Sequence, residues 1–281
     1  GGALASLAEL PDTGAGELDR VRALARMLPG AMQTRPVIEG AMRVVRDRYD
    51  LADTDQAFEL LRRVSQQHNV RLRTLAAAVL TVRPPDPGSA RWFPGRLRQA
   101  PPSVTFAEPH RQWRDSRSAF LSDVLDNALA CMRTDHGDLQ LIDRVVGGLR
   151  LEVQRGLPRE FVGLFAHVTD DSTRAAAVQS GHRVVVADVA TSPAYAEPAA
   201  RAAMLAANGR AIQSTPLVAP DGHCHGMVST LDGHPGRTPS PAEEAALDRI
   251  GREAGAWLAW HQRTVVLDVL EDVHDAARRA R

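Results

Sequence analysis

Residues 34–82, TRPVIEGAMRVVRDRYDLADTDQAFELLRRVSQQHNVRLRTLAAAVLTV, decide how the chain is read. Pro36 suits a first helical turn, where its missing N–H has no intrahelical partner. Ile38, Met42, Val45 and Tyr49 recur at helical spacing, and Val37, Ala41 and Val44 widen the stripe. This predicts a first helix from Pro36 to Tyr49, with Arg35, Glu39, Arg43 and Arg46 facing water. Asp53 followed by Gln56 has the pattern of a capping box and starts a second helix. Its apolar face is Ala57, Phe58, Leu60, Leu61 and Val64, with Arg62 and Arg63 outside the stripe. Asn69 suits the end of that helix. Leu72, Leu75, Ala76 and Val79 give the third, with Arg71 and Arg73 at its start. Helices this short need each other's apolar faces to be stable, so the stretch predicts a small three-helix bundle.

The surface of such a bundle holds Arg43, Arg46, Arg48, Arg62, Arg63, Arg71 and Arg73. Clustered guanidinium groups form an electrostatic footprint for a nucleic-acid backbone. Asp47, Asp50, Asp53, Asp55 and Glu59 lie among them, so a solvated mixed-charge surface is the competing reading. The spacing Ile38-Glu39-x-Ala41, then Ala57-Phe58-x-x-Leu61-Arg62, then Ser65, Asn69, Leu72 and Ala76 resembles the ANTAR domain from Arg35 to Leu80. That resemblance implies a three-helix RNA-binding module of bacterial antiterminators, which bind paired hairpins in nascent messenger RNA and keep a terminator from forming. The family usually carries Lys-Gly after the alanine matching Ala41; this chain has Met42-Arg43. Charge, exposure and resemblance together nominate Arg43, Arg46, Arg62, Arg63, Arg71 and Arg73 as RNA contacts.

The chain has 281 residues and 44% apolar content, enough for two domains with real cores. Its 34 basic residues are all arginine and balance 34 acidic ones to a net charge of zero. Nucleic-acid affinity must then come from a local patch, not a global field. Without lysine, P-loop, Schiff-base and phosphorelay-receiver chemistry are excluded. Two cysteines, Cys131 and Cys224, make no disulfide framework, and a reduced cytoplasmic location follows as the expectation. No apolar run reaches the length of a membrane span, and no basic segment precedes an apolar leader.

Upstream, Glu17 to Met27 has helical periodicity through Leu18, Val21, Leu24 and Ala25, and Leu28-Pro29-Gly30 interrupts it. Downstream, Pro84, Pro85, Pro87 and Gly88 open a Pro- and Arg-rich stretch that reads as an extended spacer. Within it, Trp92 suits packing on a domain surface better than stacking on a base. A new texture then begins. Ser116 to Arg133 is an amphipathic helix; Leu139 to Asp143 and Leu149 to Gln154 are strands about a turn. Pro158 to Val168 and Ser172 to Gln179 read as helices, Arg183 to Val189 as a strand, and Pro193 to Ala207 as a helix. Ile212 to Ala219 and Cys224 to Leu231 form a hairpin about Asp221-Gly222. Pro239 to Arg263 is a long helix capped by Ser240.

This order predicts an antiparallel sheet with helices on its faces. It resembles a GAF domain over Phe120 to Gln262, carried by Gly137-Asp138-Leu139-Gln140-Leu141, Arg183 to Val189, Ile212 to Leu217 and Gly226-Met227. That resemblance implies a regulatory sensor, often with a small ligand between sheet and helices and often dimeric through terminal helices. The Asn-Lys-Phe-Asp motif of cyclic-nucleotide-binding members is absent. Val265, Leu267, Val269, Leu270 and Val273, with Trp257, Leu258 and Trp260, make an apolar ridge that predicts a homodimer seam.

The expected organisation is multidomain, α and α+β. An N-terminal segment spans 1–30, a three-helix RNA-binding domain 31–83, a spacer 84–113, a GAF-like sensor 114–263, and a helical extension 264–281. No enzymatic motif is present: there is no Gly-x-Ser-x-Gly elbow, His-Glu-x-x-His or Cys-x-x-Cys. His223 and His225 would hold a metal only if a third ligand such as His182 converged, and none is expected. The function expected is a signal-responsive antitermination regulator, with structured RNA and a small sensor ligand as partners and no membrane. The alternatives are a DNA-binding regulator that uses the second and third helices as a helix-turn-helix, and a ligand-sensing or interaction protein whose head has degenerated.

Overall fold

The computed structural model describes residues 14–106, 116–168, 178 and 181–279. They fall into two compact units. One holds the chain up to Leu97, Arg144–Val146 and the chain from Val266 onward; the other holds Arg98–Asp143 and Gly147–Val265.

The helical unit contains α1 (Gly14–Arg26), α2 (Thr34–Tyr49), α3 (Thr54–Gln67), α4 (Leu72–Thr81) and, from the far end of the chain, the last helix. Asp53 caps α3 by accepting from the Gln56 N–H at 2.8 Å. Asp50 and Asn69 take left-handed backbone angles, φ 53° and 49°, which end α2 and α3 and let the chain reverse. Val37, Ala41, Val45 and Tyr49 of α2, Ala57, Leu61 and Val64 of α3, and Leu75, Ala76 and Val79 of α4 are buried, as their periodicity requires. α1 lies across α2 at Gly40, where a Cβ would stand 2.3 Å from Val21 Cγ2. Only glycine allows that approach.

The sheet unit has six strands: β1 (His136–Ile142), β2 (Leu149–Arg155), β3 (His167–Val168), β4 (Val184–Val186), β5 (Ala211–Val218) and β6 (Cys224–Asp232). Their order is β3-β2-β1-β6-β5-β4, with every pairing antiparallel. Five helices complete the chain: α5 (Arg117–Met132), α6 (Arg159–Phe165), α7 (Pro198–Ala206), α8 (Pro241–Arg263) and α9 (Val265–Arg279). Alternation along the strands sends successive side chains to opposite faces. One face meets α5 and α8 in a core built on Phe120, Leu125, Leu139, Leu217, Val228 and Trp257, with Phe120 stacked on Trp257 at 3.9 Å. A second core gathers Phe161, Phe165, Met204, Ile212 and Leu231. α8 begins with a full capping box between Ser240 and Glu243.

Several boundaries differ from the sequence reading. The helix expected over Pro158 to Val168 stops at Phe165, and His167–Val168 extends the sheet beside Leu149 and Arg150. The open edge of β2 outweighs local propensity there. The helix expected over Pro193 to Ala207 is broken at Glu197, because the residue before a proline avoids helical angles. Glu197 takes ψ 121° and instead caps α7 through the Ala199 and Ala200 N–H groups. The Ser172 to Gln179 helix lies outside the described residues, apart from Val178.

The chain's end differs most. Thr264 alone separates α8 from α9, and its angles, φ −114° and ψ −69°, break the helical run. The expected continuous ridge is therefore divided. Trp257, Leu258 and Trp260 lie in the sheet unit's core. Val266, Val269, Leu270, Val273 and Ala277 of α9 are wholly buried within the helical unit, so their apolar face is consumed within one chain and does not form the predicted seam. His274 of α9 is buried against the head. Its Nε2 faces the Ser89 carbonyl at 3.1 Å, which can only accept. A neutral ring then accepts at Nδ1 from the Tyr49 hydroxyl at 2.8 Å.

The first part of the Pro/Arg-rich stretch is likewise engaged. Trp92 is 4% exposed, and its indole N–H donates to the Arg83 carbonyl. The backbone N–H groups of Trp92 and Phe93 both donate to the Glu271 carboxylate of α9, at 3.1 and 3.0 Å. Arg96 pairs with Asp268. Residues 83–96 thus strap α9 into the helical unit.

Candidate nucleic-acid interface and sensor face

The six nominated arginines separate by environment. Arg43 does not face water as its spacing predicts, because α1 covers it. Its guanidinium bonds Glu17 at 2.7 Å, and Glu17 is only 2% exposed. The signal missed in the sequence is Glu17 itself, an acid on the inner side of α1. Arg46 remains partly exposed and pairs with its neighbour Asp47 at 2.6 Å. Arg62 binds Glu59 at 2.6 Å and the Gln66 carboxamide oxygen at 3.2 Å. Hydrogen bonding between the two holds the Glu59 carboxyl below its ordinary range and raises the Arg62 guanidinium. Arg71 is exposed at the N-terminal boundary of α4, and Arg73, one turn edge further, is half-buried. Arg48, counted with the basic surface, is instead partly buried with its guanidinium 4.9 Å from the Trp92 ring centroid. Burial lowers its guanidinium from the ordinary value.

Arg63 is exposed and makes no ion pair among the described residues. It stands between two surface clefts. One, of about 350 Å³, is lined by Leu51, Gln56, Glu59, Leu60, Arg62, Arg63 and Gln66. The other, of about 570 Å³, lies between α3 and α9 and is edged by Arg63, Gln67, Asp272, Asp275 and Arg279. Beside it His68, the C-cap of α3, meets Asp272 at 2.6 Å.

In the sheet unit, one strand face is polar where an apolar core is the norm. Asp138, Gln140 and Ser229 are fully buried and Ser214 is 3% exposed. The hydroxyls of Ser214 and Ser229 meet at 2.8 Å across β5 and β6. Gln140 Nε2 donates to the Phe165 carbonyl, while Gln140 Oε1 is buried with no partner among the described residues. Sequence reasoning missed these residues, although polar positions alternating with Leu139 and Leu141 were the available signal. β6 approaches β1 closely here: a Cβ at Gly226 would lie 2.1 Å from the Gln140 carbonyl oxygen.

The remaining candidates are dispersed. His223 is exposed beside Asp221, whose carboxyl is held down to about 2 by the His223 N–H and by Arg263. Cys224 is partly buried, and burial raises its thiol. Among the described residues no group of three or more His, Cys, Asp or Glu side chains is arranged to hold a metal ion. Nor is any helix among them long and apolar enough to cross a membrane.

Residues 26–80 match the family model described as ANTAR domain. For the sheet unit, similar solved structures include the GAF domain of a phosphoenolpyruvate-protein phosphotransferase from Coxiella burnetii. It is 14% identical and covers 73% of this chain and 93% of its own, with a TM-score of 0.45. The GAF domain/HD domain protein from Geobacter sulfurreducens is 18% identical, covers 52% and 93%, and has a TM-score of 0.43. The GAF domain of an Acinetobacter phosphoenolpyruvate-protein phosphotransferase is 14% identical, covers 52% and 83%, and has a TM-score of 0.42. No curated protein matches. The chain therefore has an ANTAR domain match at 26–80, followed by a sheet unit that resembles these GAF domains.

Proposed function

We propose that the chain is a signal-responsive transcription antitermination regulator, cytoplasmic, whose helical head binds structured RNA under the control of its GAF-like unit. The observation that carries this reading is the ANTAR match at 26–80 with Arg62, Arg63 and Arg71 left toward solvent on the matching helices. Hairpin RNA suits such a head, because guanidinium groups meet phosphates while side chains reach unstacked loop bases. Arg46 and Arg73 belong to the same proposed contact set, whereas Arg43 serves first to hold α1 on α2. The small-molecule partner we propose is one that meets the polar strand face; the buried Gln140 Oε1, without a partner among the described residues, supports a ligand with a hydrogen-bond donor. A homodimer presenting two heads to paired hairpins completes the reading, its contacts lying outside the buried face of α9.

Filter binding of the full chain with hairpin RNA and with duplex DNA tests the reading. Hairpin RNA should be retained and duplex DNA should not. Replacing Arg62 and Arg63 by Ala should weaken RNA retention and reduce the slope of log affinity against log salt by about two. A second reading, a sensor whose head no longer binds nucleic acid, is favoured by Met42-Arg43 standing where the family has Lys-Gly and by the capture of Arg43 by Glu17. It gains if the double variant changes nothing.

A further inference from the structure

The cleft on α3 has a chemistry that the general RNA reading does not use. Its floor is aliphatic, from Leu51 and the nearly buried Leu60. Its rim carries two carboxamides, Gln56 and Gln66, and two guanidinium groups, Arg62 and Arg63. The single acid on the rim, Glu59, is already bonded to Arg62, so its charge is locally matched. Arg62 also donates to the Gln66 carboxamide oxygen, which leaves the Gln66 NH₂ as a donor. Gln56 uses only its backbone N–H, toward Asp53, and its side chain keeps both a donor and an acceptor.

We propose that this cleft is a base-reading subsite, which takes one unstacked nucleobase from the loop of an RNA hairpin; the proposal rests on the RNA reading above and deepens it. An apolar floor accepts a flat, weakly hydrated ring. Carboxamides offer the paired donor and acceptor that a base edge requires, and a guanidinium plane stacks on the base or meets its phosphate. The second cleft, beyond Arg63, does not suit the same ligand. Asp272 and Asp275 of α9 offset Arg63 and Arg279 on its edge, so it lacks the net positive charge that a phosphate backbone needs. This asymmetry places the strand on the Leu51 side of Arg63, with Arg63 as the phosphate contact between them.

The test uses the full chain and a pool of RNA hairpins with one constant stem and a randomised loop. Bound and unbound fractions are sequenced, and the bare stem duplex serves as a control. The native chain should enrich one base at one loop position. The variant Gln56→Ala/Gln66→Ala, exposed alanine substitutions that favour helix, should lose that enrichment by roughly tenfold while retaining the pool as a whole. Arg63→Ala should instead weaken retention of every loop sequence alike and lower the salt slope by about one. Retention of hairpins without enrichment, or enrichment that survives the double glutamine variant, overturns the subsite and leaves RNA binding standing. Failure of the native chain to retain any hairpin overturns both.

Discussion

Leu270→Ala tests whether α9 is a core helix of the head. Leu270 is wholly buried, on the same apolar face as Val266, Val269, Val273 and Ala277. Truncation removes three carbons, worth about 2.4 kcal/mol in transfer alone at about 0.8 kcal/mol each. The cavity left behind brings the expected loss to about 2–5 kcal/mol. Alanine is the best helix former, so no propensity cost confuses the reading. A two-unit chain does not unfold as one transition, so the assay must resolve segments. Peptide-resolved hydrogen exchange does this. The slowest amides of α2 and α3 should lose protection by roughly thirtyfold or more, the equivalent of about 2 kcal/mol. The amides of β1 and β6 should not change, and the effect should not depend on protein concentration. If α2 and α3 keep their protection and the variant instead shifts the assembly toward monomer, α9 is a seam between copies and the packing described above is wrong.

Two further substitutions probe single contacts. Gly40→Ala should destabilise the head by about 1–3 kcal/mol, because its Cβ would meet Val21 Cγ2 at 2.3 Å. This reverses the gain that alanine normally brings to a helix, and Val21→Ala in the same chain should restore the melting temperature. His261 is buried and stacked near Trp257 at 5.0 Å; burial, with Arg117 nearby, pushes its imidazole down to about 3. A folded value below the unfolded 6.5 means that the sheet unit is fully stable above about pH 6.5 and loses stability as pH falls toward 3. By pH 5 the loss is about 2 kcal/mol. Urea midpoints at pH 7 and 5 should therefore converge in His261→Phe, and an unchanged drop in that variant would refute the assignment.

Much of this fold is legible in short-range pattern. The helices of the head follow from the stripes through Val37, Val45, Leu61 and Val79, and the Asp53 and Ser240 caps follow from residue type at fixed spacing. What was not legible depends on partners distant in sequence. Glu17 and Arg43 are 26 positions apart, and nothing in either helix alone announces their pairing. Trp92 and Glu271 are 179 apart, so a stretch rich in proline and arginine reads as a spacer until the helix it straps is in place. The apolar positions of α9 were visible, but an amphipathic stripe shows that a face is buried, not what buries it. The same limit hid the polar strand face: alternation puts Asp138 and Gln140 on one face of β1 but does not say what buries it.

The break at Thr264 divides one apolar pattern between two cores. α8 is anchored by Leu247, Ile250, Ala254 and Trp257 in the sheet unit, and α9 by five wholly buried residues in the helical unit. Thr264 is the one residue between the two helices. With α9 built into the head's core, its side chains also make polar contacts there, among them Tyr49–His274 and His68–Asp272. His68 is the C-cap of α3 and follows Arg63 and Gln66, side chains proposed to meet RNA. The helix that looked like an appendage in the sequence is thus part of the head's own core.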